Sequence, residues 1–255
     1  MSSPKERHRN VVELVAQRDG LSVEELAQEV SVSESTIRRD LRELADRDLL
    51  ERTHGGAVPI TNSGLEPSFE RRVVQQLDQK QAIATRAIEE IQEEQIVYFD
   101  AGTTTMQVAR EGSSIDLPFI AVTNSPLLTP ILSQNNSKVM LTGGEFRDET
   151  KALIGPTTDE FVRASNFDLA FLGVNGINLN GELSTPNEAE ATLKRSVIEN
   201  STRSVIVTTT DKFGEQSFRQ FGSISDIDLL ITNERVPDEF RELFSDTDLI
   251  ENTSD

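Results

Sequence analysis

Residues 30–58 read VSVSESTIRRDLRELADRDLLERTHGGAV. Within them, Ile37, Leu41 and Leu44 recur at i, i+4 and i+7, the spacing that puts apolar side chains on one side of a helix. Ser33, with a hydroxyl placed to cap, precedes the run. Ser35, Arg38, Arg39 and Arg42 then share the opposite arc, so the helix buries one stripe and shows guanidinium groups outward. Glu34, Asp40, Glu43 and Asp46 lie on the same segment, and charges over 33–47 cancel, which by itself favours a plain solvated helix. Placement argues against that: most of the acids flank the arginine arc, and only Asp46 lies on it, near the far end. LLERTHGGAVPI next reads as two short strands around a turn containing His54, Gly55 and Gly56.

Upstream, Val11, Leu14 and Val15 mark a helix that Asp19 and Gly20 end. SVEELAQEV opens with a capping box, Ser22 with Glu25, and Val23, Leu26, Ala27 and Val30 form its apolar side. Three helices, a short turn between the second and third, and a strand pair make a winged helix-turn-helix over 1–58, with the helix-turn-helix at about 20–39. Arginine pairs with guanine O6 and N7, while Ser33, Ser35 and Thr36 suit phosphates or base edges. The His54–Gly56 turn can reach neighbouring phosphates, its glycines allowing close backbone approach. The partner implied is double-stranded DNA.

Residues 59–76 turn to Thr, Asn, Ser, Gly and Pro near their start and read as a linker. From 77 to 255 helical and strand patterns alternate: a helix near 78–93, the strand QIVYFD, a helix from Thr103, the strand PFIAVTN, the helix SPLLTPILSQ and the strand KVMLTGG. The helix TTDEFVRAS, the strand FDLAFLGVNG, the helix NEAEATLKRSVIEN and the strands RSVIVTTTDKF and DIDLLITN follow. Short apolar strands between helices predict a parallel sheet covered on both faces. The fold class is therefore α+β with two domains, a winged helix-turn-helix followed by an α/β domain with a mostly parallel sheet.

Ligands of such sheets bind outside the carboxyl ends of the strands, which makes the strand-end turns the candidate site. Gly102, Thr103 and Thr104 offer N–H groups and hydroxyls to a phosphate; Thr123, Asn124, Gly143 and Gly144 complete a wall. Lys194 and Lys212 supply positive charge, and Glu188 and Asp211 accept hydrogen bonds from hydroxyls. Each turn also has an ordinary reading, as a helix cap for Asp100 or GTTT, a left-handed turn for Asn175, or a solvated lysine.

The composition narrows the class. Net charge is −19, from 44 acidic and 25 basic side chains, and only six of the latter are lysines. An acidic, lysine-poor surface fits a salt-loving cytoplasm, where salt screens self-repulsion. There is no cysteine, so no disulfide and no thiolate metal site. No apolar run is long enough to span a bilayer, and MSSPKERHRN leads into an amphipathic pattern, so neither membrane nor export is expected. A cytoplasmic protein without metal or other cofactor is the expectation.

The stretch 30–58 resembles the DNA-binding signature of the DeoR family of bacterial and archaeal repressors, with its Ser-x-x-Thr-Ile-Arg-Arg-Asp-Leu core at Ser33–Leu41 and its His-Gly-Gly-Ala wing at His54–Ala57. The resemblance extends to about residue 235 and, with the acidic composition, is to haloarchaeal repressors of sugar metabolism. It implies a C-terminal domain related to sugar-phosphate isomerases that binds a phosphorylated sugar or polyol as inducer. The family's Asp-x-Gly-Thr-Thr element is matched by Asp100, Gly102, Thr103 and Thr104, and its Asp-x-x-Lys-Phe element, shortened, by Asp211, Lys212 and Phe213. The loop GVNGINLNG offers Asn175 and Asn178 where related isomerases carry acids, and an amide cannot take a carbon-bound proton. No catalytic residue is therefore assigned. The expected protein is a repressor acting as a dimer or tetramer; an isomerase with an appended DNA-binding module, and a repressor whose second domain only oligomerises, are the alternatives.

Overall fold

The computed structural model describes residues 3–60, 67–135 and 138–252. The chain divides into two units, one ending at Leu77 and the other starting at Asp78.

In the first, α1 (Pro4–Gln17) starts at a capping box: the Ser3 hydroxyl accepts from the Glu6 N–H and the Glu6 carboxylate from the Ser3 N–H, both at 3.2 Å. Asp19 and Gly20, at φ 53° and 117°, stop it. β1 (Leu21–Ser22) leads into α2 (Val23–Glu29), whose box of Ser22 and Glu25 forms as the sequence predicts, at 2.8 and 3.2 Å. α3 (Glu34–Asp46) is capped by Ser33, which accepts from the Thr36 N–H at 3.3 Å. β2 (Glu51–Arg52) and β3 (Gly56–Val58) form the expected antiparallel pair, but the sheet has three strands in the order β1-β3-β2. Val11, Val12, Val15, Leu26, Ile37, Leu41, Leu44, Leu49 and Leu50 are buried between these elements. α4 (Phe69–Val74), capped by Ser68, packs with Val74 on that core, and the Arg71 guanidinium donates to the Ile60 carbonyl at 2.6 Å. Residues 61–66 of the segment read as a linker lie outside the described residues.

The second unit opens with α5 (Leu77–Ala87) and alternates β4 (Ile96–Phe99), α6 (Thr103–Gly112), β5 (Ile120–Thr123), α7 (Thr129–Leu132) and β6 (Lys138–Leu141). A hairpin of β7 (Glu145–Arg147) and β8 (Ala152–Ile154) precedes α8 (Pro156–Arg163) and β9 (Phe167–Leu172). Then come β10 (Gly176–Ile177), β11 (Glu182–Thr185), α9 (Glu188–Glu199), β12 (Ser201–Val207), β13 (Arg219–Ser223), β14 (Leu229–Thr232) and β15 (Asp248–Glu251). Seven strands in the order β15-β14-β12-β9-β4-β5-β6 form the main sheet, and every neighbouring pair is parallel. Its central strands are apolar without alternation because both faces are covered: Val97–Phe99, Leu169–Leu172, Val205–Val207 and Leu229–Ile231 are all buried. Three departures from the sequence reading stand out. SPLLTPILSQ makes only a four-residue α-helix, with Pro130 in its first turn. β15 adds an edge strand, and β10, β11 and β13 form a separate antiparallel sheet.

All carboxyl ends of the main sheet lie along one edge. From β4 the order runs to β5 and β6 on one side and to β9, β12 and β14 on the other. The reversal leaves a crevice beyond β4 and β9, where ligands of open sheets bind.

The glycines of the wing differ. A Cβ at Gly56 would stand 2.0 Å from the Leu21 carbonyl oxygen and 2.7 Å from Ser22 Cα, because β3 passes β1 there; at Gly55 it would meet nothing within 4 Å. Gly56→Ala is expected to destabilise the N-terminal unit by roughly 1–3 kcal/mol or more as backbone is forced apart. Gly55→Ala should stay within about 0.5 kcal/mol. Thermal melts of the two variants check this, and equal midpoints would contradict it.

Candidate DNA-recognition face and strand-end crevice

On α3, Ser35, Arg38, Arg39 and Arg42 are exposed, and Thr36 is half-buried at its start. The Ser33 hydroxyl lies 2.9 Å from those of both Ser35 and Thr36. His54 and Gly55 are exposed at the wing turn, whereas Gly56 is buried against β1. Arg38 pairs with Glu34 one turn earlier, at 2.7 Å. Among the described residues, Arg39 and Arg42 meet no carboxylate.

Asp40 does not flank the arginines. It is buried and faces α1, where Arg7 grips it through Nε at 2.6 Å and Nη2 at 3.1 Å, and His8 Nε2 stands 3.1 Å away. Burial alone would raise the Asp40 carboxyl, but hydrogen bonds and charge from Arg7 and His8 hold it below its ordinary value. One negative charge is thereby drawn off the helix surface into its packing. The sequence carried the signal: Ile37, Asp40, Leu41 and Leu44 stand at i, i+3, i+4 and i+7, so Asp40 belongs to the buried stripe.

In the second unit the structure joins Asp100, just past β4, to Lys194 on α9. The Lys194 ammonium donates to the Asp100 carboxylate and, at 2.9 Å, to the Gly173 carbonyl just past β9. It also stands 5.6 Å from the centre of the Phe221 ring. The Gly173 N–H donates back to Asp100 at 3.1 Å, so the pair spans the point where the strand order reverses. Burial pushes the Asp100 carboxyl above its ordinary range, against the pull of Lys194 and Gly173.

Gly102 caps α6, and Thr103 and Thr104 form its first turn, where backbone N–H groups have no partner within the helix. Thr123 and Asn124 turn their polar atoms to the chain itself. The Thr123 hydroxyl donates to the Phe99 carbonyl at 2.7 Å, while Asn124 accepts from the Ala101 N–H at 2.8 Å and donates to the Leu153 carbonyl at 3.3 Å. Gly143 and Gly144, at φ 77° and 124°, carry the chain from β6 into β7, and the Thr158 hydroxyl donates to the Gly143 carbonyl at 2.5 Å. Lys212 pairs with its neighbour Asp211 at 2.6 Å beyond β12.

Glu188 is exposed, 2.8 Å from Arg219. Glu190 is the inward acid of α9: it accepts from Thr150 at 2.5 Å and from Arg147 at 3.1 Å, both on the β7–β8 hairpin. The Thr185 hydroxyl lies 3.2 Å from both Glu190 and Asn175. Glu190, Arg147, Thr150 and Thr185 join the site beyond the residues expected from the sequence. The available signal was the spacing of Glu190 and Lys194, four apart and so on one helix face.

A winged helix-turn-helix with an outward arginine face, joined in one chain to a parallel α/β unit with a polar strand-end crevice, is the build of a DNA-binding regulator with a sensor domain. Comparison with known families agrees in both units: residues 7–63 match the DeoR-like helix-turn-helix domain and residues 75–234 the DeoR C terminal sensor domain. The chain belongs to the DeoR family of transcriptional regulators. The HTH-type transcriptional regulator GlpR of Haloferax volcanii is 49% identical over 94% of this chain and 93% of its own. The glycerol-3-phosphate regulon repressor of Escherichia coli is 33% identical over 94% and 95%. Among solved structures, ribose 5-phosphate isomerase A from Methanocaldococcus jannaschii is similar over 54% of each chain at 15% identity and a TM-score of 0.41, too slight a likeness to inform the chemistry. Among the described residues no helix is long and apolar enough to cross a membrane.

Two expectations follow. Lys194→Met strands a buried carboxylate and should cost about 3–5 kcal/mol of stability, most of it recovered on adding Asp100→Asn; denaturant midpoints of the single and double variants read this, and additive losses would refute it. Asp40, with its pKa lowered by folding, contributes stability that is complete above its unfolded value of about 3.9 and is lost as pH falls through the lower folded value. Asp40→Asn should therefore flatten the acid limb of N-terminal-unit unfolding, followed by pH-dependent melts.

Proposed function

We propose that this chain represses genes of sugar or polyol catabolism, such as those for fructose, glucose or glycerol, and leaves its operator when a phosphorylated metabolite fills the strand-end crevice. The observation that carries this reading is the outward arc of Arg38, Arg39 and Arg42 on a helix whose Asp40 is drawn inward. Residues 1–58 hold double-stranded DNA, 59–76 link, and 77–255 sense the effector and oligomerise. Helix-turn-helix regulators bind paired half-sites, so a dimer or tetramer is the working form, and its place is the cytoplasm. Gly102, Thr103 and Thr104 take the phosphate at the start of α6, with Lys194 and Lys212 as the cationic side chains and Asn175 for a hydroxyl.

No catalysis is assigned to the crevice. Its buried carboxylates, Asp100 and Glu190, are held by Lys194 and Arg147, and Glu188 faces outward to Arg219. A proton-transferring isomerase needs a base within reach of the substrate carbon. Neither a metal nor any other cofactor enters the scheme.

Binding to a selected operator duplex at high salt, with and without glycerol phosphate and ketohexose phosphates, tests the proposal. Arg39→Ala and Arg42→Ala should each weaken operator binding roughly tenfold or more. At least one metabolite should lower DNA affinity and raise the melting midpoint of the free protein. Unchanged binding by the arginine variants, or sugar-phosphate isomerisation by the purified protein, would overturn it.

A further inference from the structure

The first turn of the recognition helix carries an acid in the wrong place for a phosphate-binding surface. Glu34 is the first residue of α3, in the turn that such helices insert deepest into the major groove. It is exposed, and its Oε2 accepts from Arg38 Nη2 at 2.7 Å. Arg38 is thus the member of the arginine arc that already holds a carboxylate, while Arg39 and Arg42 hold none among the described residues. An exposed pair four residues apart adds little to stability, so the fold does not need it. On duplex DNA its consequences are larger. The carboxylate is repelled by every phosphate and occupies an arginine that would otherwise neutralise one. A base-pair edge that presents the cytosine N4 amino group offers it a donor, and the guanine O6 and N7 of a G·C pair offer Arg38 a bidentate partner.

We propose that Glu34 is a specificity-determining residue: it reads a cytosine amino group in the major groove, and by holding Arg38 off the phosphates it penalises duplexes that lack that cytosine. This rests on α3 being the DNA-reading helix. A chain of net charge −19 that must select its site where salt has weakened phosphate attraction gains most from such a device.

The test selects duplexes from a random pool with the full-length wild-type protein and with Glu34→Gln, then measures affinity for the selected and for unrelated duplexes across a salt series. Glu93→Gln, which removes an exposed acid in the other unit, controls for net charge. Wild type should demand a cytosine at one position of each half-site. Glu34→Gln should relax that position roughly tenfold or more. It should also bind unrelated DNA more tightly, with a log-log salt slope steeper by about 0.9 as Arg38 takes a phosphate, while Glu93→Gln does neither. If Glu34→Gln selects the same sequence with the same stringency, or matches Glu93→Gln, the proposal falls. If the wild type enriches no sequence, the reading of α3 falls instead. Identical melting curves for the three proteins exclude unfolding as the cause.

Discussion

A parallel sheet buried on both faces leaves little room for charged side chains along the buried stretches of its strands, so its chemistry gathers where the strands end. Here that constraint produces one contact on which the second unit turns. Asp100 leaves β4, Gly173 leaves β9, and Lys194 reaches from α9 to hold both. A carboxylate this buried would be costly without its cation, and the cation equally costly alone. The pair therefore ties α9 to the two strands that flank the reversal of strand order. The rest of the polar system builds outward from α9 through Glu190 to Arg147 and Thr150 on the β7–β8 hairpin. An anionic effector entering this crevice meets a lysine already committed to a carboxylate, and has to compete with it.

The first unit handles its acids by a similar rule. Asp40 is taken inward by Arg7 and His8, which leaves the arginine arc with less negative charge than the sequence count suggests. A chain with 44 acidic side chains cannot keep all of them away from DNA, so which of them face inward matters more than the total. Domain charge is a poor guide to DNA binding in such a protein; the local face is the better one.

Much of this was legible in the residues. The caps at Ser22 and Ser33, the stripe Ile37–Leu41–Leu44 and the unbroken apolar runs of QIVYFD, FDLAFL and DIDLLITN are local patterns, and local pattern is what a sequence displays. β1 has two residues and β10 two, too few for any period to show. β15, DLIE, is an edge strand of four residues, too short for a pattern to show, and its pairing with β14 is fixed by the fold and not by local sequence. Glu188 was the acid singled out from sequence, yet Glu190 is the one inside. Both lie in the first turn of α9; the spacing to Lys194 puts Glu190 on the inner face, and its partners Arg147 and Thr150 come from a hairpin distant in sequence. Asp40 is a parallel case, a residue whose burial the helical spacing already stated and whose charge obscured it.

Both recognition events in the proposed switch concern anions, yet they answer salt differently. The arginines of α3 are exposed, and phosphate attraction there fades as counterion release loses its value. Lys194 is buried in the crevice, where mobile ions screen it far less. Coupling is reciprocal: a metabolite that weakens DNA binding by some factor is itself weakened by DNA to the same degree. Rising salt then lowers operator affinity more than effector affinity, and the switch drifts toward release unless base contacts hold the DNA side in place. In a salt-rich setting the discriminating contacts of α3 therefore set affinity as well as choice of sequence, and the acids left beside its arginines weigh on both.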